Sequence, residues 1–125
     1  MAKKESKTTE VKLIALDLDG TTLGRDGISD YTRETLEEAI EKGIHVVIAT
    51  GRTFTALPED IYRIRGLEYV ISSNGAHITY LPEEKIIYSN CISAAAAAKM
   101  RKILEAHSCH PIEVFTGGKA YIDER

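Results

Sequence analysis

Short apolar runs recur along the chain, and the stretches between them are polar or have helical spacing. The runs lie at Leu13–Leu18, Ile44–Ala49 and Tyr69–Ser72. Runs this short, bounded by glycine and polar residues, predict strands, and the first two are apolar enough to be buried on both faces of a sheet. Because helical stretches separate them, the pattern predicts βαβ units and a parallel sheet, which is an α/β fold.

Two helices are predicted between these strands. Ser29 is a suitable N-cap, and the apolar stripe that follows it ends at Gly43, where a helix C-cap is expected. The second helix is predicted over about 55–64, with Pro58 in its first turn, where a missing N–H costs little. Both helices would cross from the end of one strand to the start of the next.

The pattern changes after Gly75, where two hairpins are predicted around one helix. Ser93 is predicted to cap that helix, which continues to about His107 with apolar residues at helical spacing. The five alanines near its start are predicted to be a helix start and a packing surface. The strands of the hairpins are predicted at 77–80, 85–88, 112–115 and 120–122. The segment beyond Gly75 is therefore expected to be rich in β-structure.

Composition and charge exclude several classes of protein. The chain is 43% hydrophobic and 28% charged, which is ordinary for a soluble domain, and its net charge of −3 argues against a nucleic-acid partner. No apolar stretch approaches the ~20 residues that cross a bilayer. Residues 1–10 lack the apolar centre of a signal peptide and are predicted to be a disordered tail. Cys91 and Cys109 lack metal-site spacing, so reduced thiols in a cytoplasmic chain are predicted.

Two carboxylates, Asp17 and Asp19, follow the first apolar run. Residues i and i+2 of a strand point to the same side, so we expect both to project together where the strand ends before Gly20. Like charges this close repel, and the local sequence has no obvious cation to separate them. A divalent cation such as Mg²⁺, which takes one or two carboxylates plus phosphate oxygens, would relieve the repulsion. The alternative is a pair of solvated carboxylates in a turn.

The second apolar run ends in Thr50, Gly51 and Arg52. Ligands of open parallel sheets bind beyond the carboxyl ends of the strands, so we expect Asp17 and Thr50 to share one site. Small residues at 50–51 allow the close backbone approach that an anion needs. Arg52 can bind a phosphate or hold the loop through a carboxylate. The pair Asn74-Gly75 is typical of a tight turn.

Three segments together resemble the haloacid dehalogenase superfamily of phosphohydrolases. They are LDLDGTTL at 16–23, VVIATGR at 46–52 and ISSNGA at 71–76. Within the superfamily the chain is similar to the Cof-type sugar-phosphate phosphatases, whose cap domain is inserted after the third core strand. The resemblance implies part of a Rossmann-like core over 11–75, followed over 76–125 by the first half of an α+β cap.

The resemblance also implies roles for the residues at the strand ends. Asp17 would be the nucleophile that forms an aspartyl-phosphate, and Asp19 the general acid and base. The same two carboxylates would hold Mg²⁺. The implied phosphate-binding set is Leu18, Thr50, Gly51 and Arg52, with Leu18 and Gly51 acting through backbone N–H groups and Asn74 on the substrate side.

Two later parts of the family's machinery are not found: a lysine that neutralises the phosphate, and a glycine-acidic loop. We therefore expect a truncated, N-terminal portion of a Mg²⁺-dependent phosphomonoester hydrolase of small phosphorylated metabolites such as sugar phosphates. Its uncovered core would self-associate. The alternative is a non-catalytic fragment that binds phosphate or a partner. A receiver-like signalling domain is disfavoured, because the third strand ends in Ser-Ser-Asn without an acid.

Overall fold

A computed structural model describes residues 10–107 and 109–123 of the chain. The predicted tail lies outside this part, except for Glu10. The elements, in chain order, are β1 (Leu13–Asp17), α1 (Asp30–Glu41), β2 (His45–Ala49), α2 (Glu59–Tyr62), β3 (Tyr69–Ser72), β4 (His77–Tyr80), β5 (Lys85–Ser89), α3 (Ala94–His107), β6 (Glu113–Thr116) and β7 (Lys119–Ile122). Within these ranges, no helix is long and apolar enough to cross a membrane.

The first three strands are neighbours and run parallel, which confirms the predicted α/β fold. β1 pairs with β2 and β2 with β3, so spatial order follows chain order. Asp17 lies opposite Ala49, and Ala49 lies opposite Ile71. The carboxyl ends of the strands are therefore level, and the residues that follow them lie along one edge of the sheet.

The first predicted hairpin is present, and it extends this sheet. β4 pairs antiparallel with β3, and β5 pairs antiparallel with β4, which gives one five-stranded sheet in the order β1-β2-β3-β4-β5. The last strand of the sheet ends at Ser89, whereas the predicted boundary between core and cap lies at 75/76. The division of the chain into those two units stays a prediction.

The hydrophobic core lies between one face of the sheet and the helices α1 and α2. Val46 and Ile48 of β2 and Val70 of β3 point to this face, where they pack with Leu36 of α1 and Ile61 of α2. Ile48, Ile61 and Val70 are fully buried. This packing anchors β2 and β3, and with them the loops that follow their carboxyl ends.

β1 is not buried on both faces, as the apolar run had predicted. Leu13 is 56% exposed, and exposed positions alternate with half-buried ones along the strand. In the described part of the chain β1 has a strand only on its β2 side, and the helices cover one face of the sheet. Leu18, just beyond the strand, is fully buried.

The first predicted helix is confirmed as α1. Its N-cap is Ser29, whose hydroxyl oxygen accepts from the N–H of Thr32 at 3.1 Å. The helix stops at Glu41, just before Gly43, whose φ of +82° allows the chain to turn away. α1 thus begins and ends where the sequence predicted.

The predicted extent of the second helix is wrong. A 3₁₀ turn at Phe54–Ala56 and a single α-turn, α2, replace the predicted helix over 55–64. Leu57 is extended, since the ring of Pro58 disfavours a helical conformation in the residue before it. Pro58 consequently stands at the N-cap of α2 rather than inside its first turn.

The third helix and the last hairpin are also confirmed as elements. The Ser93 hydroxyl accepts from the N–H of Ala96 at 3.2 Å, at the start of α3. β6 and β7 are joined by Gly117 and Gly118, whose φ values of +56° and +75° suit a type I′ turn. The Thr55 hydroxyl donates to the Gly118 carbonyl, which places this turn against the 3₁₀ turn.

The apolar stripe of α3 is exposed, whereas two of the five alanines predicted to form a packing surface, Ala96 and Ala97, are half-buried. Met100, Ile103 and Leu104 are all exposed, and no residue of α3 is buried. The strands β6 and β7 are exposed as well. The side of α3 that carries Met100, Ile103 and Leu104 is therefore an apolar surface that the described residues leave exposed.

Glu37 of α1 is a buried carboxylate that ties the helix to the loop before β3. It accepts from the backbone N–H of Arg65 at 3.1 Å and from its side-chain Nε at 2.9 Å, while Nη1 of Arg33 lies 3.4 Å away. The hydrogen bonds from the Arg65 side chain and backbone hold the pKa of Glu37 below its usual 4.5. Removing this charge would take away the ionic partner that both arginines share on the buried side of α1.

We expect Glu37→Gln to lower the Tm more than Glu38→Gln, because the neighbouring Glu38 pairs with Lys42 at the surface. The pKa of Glu37 is lower in the folded than in the unfolded chain, so its contribution is complete above about pH 4.5 and is lost as the pH falls further. The Tm difference between Glu37→Gln and the unchanged chain should therefore narrow in acid. Equal Tm losses for both variants in neutral buffer would contradict this role.

Candidate active site

The candidate site lies beyond the carboxyl ends of β1, β2 and β3. Since Asp17, Ala49 and Ile71 are in register, the residues that follow them are neighbours across the sheet. The N–H of Thr50 donates to the carbonyl of Ile71 at 2.9 Å, which continues the pairing one step past β2. The structure thus brings the chemistry-bearing ends of three predicted strands to one edge.

The Asp17 carboxylate is exposed and is oriented by the turn that follows it. The Thr21 hydroxyl donates to Oδ2 of Asp17 at 3.1 Å, and the Thr22 hydroxyl donates to the Asp17 carbonyl at 2.6 Å. The Leu18 carbonyl accepts from the N–H of Leu23 at 2.7 Å, which closes the turn. Neither threonine was predicted as a site residue, although the Gly-Thr-Thr segment after the carboxylates was the signal that could have identified them.

The Asp19 carboxylate is paired with Arg52. Nε of Arg52 lies 3.1 Å from Oδ1 and 3.0 Å from Oδ2 of Asp19, and Nη2 lies 2.7 Å from Oδ1. Nη1 of the same side chain donates to the carbonyl of Ala56 at 3.1 Å. Of its two predicted uses, Arg52 therefore holds the loop through a carboxylate. It is also the cation that the local sequence around Asp17 lacked.

This pairing sets the ionisation of Asp19. The Arg52 hydrogen bond is the main cause that holds the pKa of Asp19 below its usual 3.8. The carboxylate in turn raises the pKa of the Arg52 guanidinium. Asp19 is therefore ionised near neutral pH, ready to accept a proton or to bind a cation. To donate a proton it must first lose part of this pairing.

Thr50 is buried at the start of the loop after β2. Its hydroxyl oxygen accepts from the backbone N–H of Arg52 at 3.1 Å, and a hydrogen bond from Thr50 also helps to lower the pKa of Asp19. Gly51, between them, is exposed. The exposed residue of this loop is therefore a glycine, and its neighbours along the chain carry a hydroxyl group (Thr50) and a guanidinium group (Arg52).

Asn74 packs onto this loop. The N–H of Ser73 donates to the Arg52 carbonyl at 2.8 Å, and the N–H of Asn74 donates to the Thr50 carbonyl at 3.2 Å. Ser73 and Asn74 have φ values of +51° and +54°, a left-handed conformation that non-glycine residues adopt chiefly where surrounding structure imposes it. A Cβ atom at Gly51 would lie only 3.0 Å from Oδ1 of Asn74. The Asn74 side chain therefore occupies the space that a larger residue at position 51 would need.

A family model described as haloacid dehalogenase-like hydrolase matches residues 14–125. The chain belongs to this family. The match confirms the resemblance drawn from the three motifs at the strand ends.

The similar proteins are longer phosphatases and hydrolases. The chain is 36% identical over 93 residues to the 5-amino-6-(5-phospho-D-ribitylamino)uracil phosphatase YcsE of Bacillus subtilis, covering 70% of this chain and 37% of that protein. It is 35% identical over 113 residues to the phosphatase YwpJ of the same organism, covering 89% and 39%. A solved haloacid dehalogenase-like hydrolase from B. subtilis superposes with a TM-score of 0.77 at 35% identity, covering 92% and 40%. This hydrolase-family chain thus spans about two fifths of the length of these relatives.

The two carboxylates at the site supply some, but not all, of the ligands that a hard divalent cation needs. Asp17 and Asp19 are both exposed beside the buried Leu18. Mg²⁺ is bound through one or two carboxylates, with water and phosphate oxygens as its other ligands. The described residues contain no group of three or more His, Cys, Asp or Glu side chains that could hold a metal. A cation here would therefore rely on two carboxylates, and it would compete with Arg52 for Asp19.

We expect Gly51→Ala to weaken the site by displacing the Asn74 side chain. Overpacking of this kind costs about 1 kcal/mol or more of the free energy of unfolding. Asn74→Gly removes the obstructing oxygen and keeps the positive φ accessible, so the cost of Gly51→Ala should shrink in the Asn74→Gly background. Urea denaturation of both single variants and the double variant measures this coupling.

Gly24→Ala is the matched control for Gly51→Ala. A Cβ atom at Gly24 would lie 3.6 Å from the Gly27 carbonyl oxygen, which is an ordinary contact. Equal losses for the two alanine variants, or an unchanged cost of Gly51→Ala in the Asn74→Gly background, would contradict the proposed contact.

Proposed function

We propose that this chain carries the nucleophile-bearing part of a Mg²⁺-dependent phosphomonoester hydrolase of small phosphorylated metabolites. The observation that carries the proposal is the Asp17 carboxylate, oriented by the Thr21 hydroxyl at the end of β1. The loop that contains Thr50 lies beside it at the end of β2. The phosphatase activity named for YcsE and YwpJ supports this proposal.

In the proposed reaction Asp17 is the nucleophile. One of its carboxylate oxygens attacks the phosphorus, the bond from phosphorus to the leaving oxygen breaks, and an aspartyl-phosphate forms. Water then attacks the phosphorus and releases inorganic phosphate and the free carboxylate. Splitting one displacement into two in this way lowers the barrier of each step. The Thr21 hydrogen bond to Oδ2 would leave Oδ1 of Asp17 as the attacking oxygen.

Asp19 is the proposed general acid and base. It would protonate the leaving oxygen in the first step and take a proton from the attacking water in the second. The donor role requires a protonated carboxyl, which the Arg52 pairing disfavours. A bound phosphate competes with Asp19 for the Arg52 guanidinium, so substrate binding would raise the pKa of Asp19 when its help as an acid is needed.

The phosphate would be held by the loop after β2 and by the turn after β1. The Thr50 hydroxyl, the guanidinium of Arg52 and the backbone N–H groups of Leu18 and Gly51 are the proposed donors. Asn74 would act on the substrate side of this loop and keep Gly51 in place. Asp17 and Asp19 would hold Mg²⁺, which when bound stabilises the negative charge of the transferring phosphoryl group.

The proposed substrates are small phosphorylated metabolites, among which sugar phosphates are the leading class. The name of YcsE specifies a phosphorylated ribityl group, which is a phosphorylated sugar alcohol. We propose that residues 76–125 belong to the cap that selects the substrate, after a core part over 11–75. The turn between β6 and β7 touches Thr55, close along the chain to Arg52, as a cap element beside the site would.

The test is hydrolysis of an aryl phosphate by this chain, with Mg²⁺ and with Mg²⁺ plus a chelator. Turnover that the chelator stops would support the proposal. An inactive chain would contradict catalysis by this chain and favour the second candidate, a phosphate-binding fragment. The observation that favours this second candidate is that both Asp19 oxygens are already bound by Arg52.

We also propose that the chain self-associates through the uncovered face and edge of the sheet at β1. Val11 and Leu13 are each more than half exposed there, beside the edge of β1 that pairs with no described strand. Light scattering should show a mass above that of the 13.8 kDa monomer, increasing with concentration. Leu13→Lys should reduce it, and a concentrated monomer would contradict the proposal. The cytoplasmic location, and the absence of nucleic-acid and membrane partners, stay predictions.

A further inference from the structure

The 3₁₀ turn Phe54–Ala56 lies between the guanidinium of Arg52 and the turn that joins β6 and β7. Nη1 of Arg52 donates to the carbonyl of Ala56 at 3.1 Å. The Thr55 hydroxyl donates to the carbonyl of Gly118, and the Thr55 methyl group lies 3.7 Å from the position that a Cβ atom at Gly118 would take. Adjacent residues of one short turn thus contact the candidate active site on one side and the β6–β7 turn on the other.

The 3₁₀ turn is itself anchored to the hydrophobic core. Phe54 packs against the core, and the N–H of Ala56 donates to the carbonyl of Thr53 at 3.0 Å. Thr53 is buried, and its hydroxyl oxygen lies 3.4 Å from that of Thr55. Because the single hydroxyl proton of Thr55 goes to Gly118, Thr53 is the donor in this pair. A displacement of Thr55 would therefore disturb Ala56 as well, since both belong to one hydrogen-bonded turn.

The orientation of the Arg52 side chain shows why the Ala56 carbonyl matters for binding an anion. The edge of the guanidinium formed by Nε and Nη2 faces Asp19, whereas Nη1 faces Ala56. An oxyanion that replaces Asp19 would take the Nε–Nη2 edge, which suits two oxygen atoms side by side. Nη1 would keep its hydrogen bond meanwhile, so the Ala56 carbonyl fixes the direction in which this edge points.

We propose that Thr55 is a positioning residue: by holding the β6–β7 turn on the 3₁₀ turn, it keeps Arg52 in place for binding an oxyanion. The proposal rests on the proposed function, in which Arg52 binds the phosphate of the substrate. Coupling between two sites is reciprocal, so a bound anion should also stabilise the contact between the β6–β7 turn and the 3₁₀ turn. Loss of the Thr55 hydroxyl removes one hydrogen bond from this arrangement.

The first measurement is the dissociation constant of inorganic phosphate, from isothermal titration calorimetry at constant ionic strength. Thr55→Val keeps the shape of the side chain and removes the hydroxyl, so we expect about fivefold weaker binding than in the unchanged chain, as for one hydrogen bond. Thr55→Ser keeps the hydroxyl and should bind phosphate as the unchanged chain does. Thr35→Val is the matched control, because the Thr35 hydroxyl also donates to a backbone carbonyl, that of Tyr31 on α1.

Backbone hydrogen exchange supplies a second measurement, which needs no variant. Saturating phosphate should slow the exchange of N–H groups in β6 and β7 of the unchanged chain, because a stabilised contact opens less often. This effect of phosphate should be lost in Thr55→Val and retained in Thr35→Val. A purely local role of Thr55 in stability would not make the exchange of β6 and β7 depend on phosphate.

Two kinds of failure can be told apart. Equal phosphate affinities of the unchanged chain and Thr55→Val, or exchange in β6 and β7 that bound phosphate leaves unaltered, would overturn the role of Thr55 while the proposed function stands. A chain that binds no phosphate would contradict the phosphate site of the proposed function, and the role of Thr55 with it. Neither measurement requires turnover, so the coupling is tested separately from catalysis.

Discussion

Asp17→Asn is expected to abolish hydrolysis of an aryl phosphate by this chain, with a loss on the order of 10³-fold or more in kcat. The amide has the shape of the carboxylate, and its carbonyl oxygen can still accept from the Thr21 hydroxyl. What it loses is the negative charge and the nucleophilic oxygen that would form the acyl-phosphate bond. The effect should therefore appear in kcat, while the Tm of the chain stays close to that of the unchanged chain.

Asp26→Asn is the matched control for this variant. Asp26 is another exposed carboxylate, in the loop between β1 and α1, and its substitution removes the same charge. We expect it to leave turnover within a factor of about two, since surface substitutions away from a site have small effects. If Asp17→Asn kept the activity of the unchanged chain, Asp17 would not be the nucleophile.

Ile48→Ala is expected to lower the free energy of unfolding by about 2–5 kcal/mol, the range observed when a buried isoleucine is truncated. Ile48 is fully buried near the carboxyl end of β2, which lies between β1 and β3, and it belongs to the core that α1 and α2 cover. Native domains are stable by only about 5–15 kcal/mol, so this loss is a large share of the total. Because Ile48 precedes Thr50 by two positions, the loop at the site should weaken too.

Urea denaturation followed by circular dichroism measures this loss, and Ile103→Ala is its control. Ile103 is the same residue type on α3, and it is 58% exposed. Its truncation removes little packing, so we expect a change within about 0.5 kcal/mol. Similar losses for the two variants would mean that the core does not lie between the sheet and α1–α2.

The regular elements could largely be predicted from the sequence. β3 has the predicted bounds, α1 has the predicted N-cap at Ser29, and α3 begins after Ser93 as expected. Strand and helix periods, caps and glycine turns act over a few residues, so the local sequence carries this information. The position of Asp17 and Thr50 at strand ends follows from the same local pattern.

The sequence predicted burial poorly where burial depends on residues that are distant along the chain. β1 is as apolar as a fully buried strand, but among the described residues only β2 borders it and one face is uncovered. The apolar stripe on α3 has helical spacing, yet its residues Met100, Ile103 and Leu104 are exposed. Periodicity predicts which face of an element is apolar, but not whether another element covers that face.

Short sequence motifs were enough to identify the family of this chain, the type of most of its elements and the candidate nucleophile. Tertiary structure alone decided the partners of the site residues. Arg52 reaches Asp19 across 33 positions, and Asn74 limits the space at Gly51. Both contacts arise because parallel pairing brings the ends of three strands to one edge, so residues far apart in the chain become neighbours.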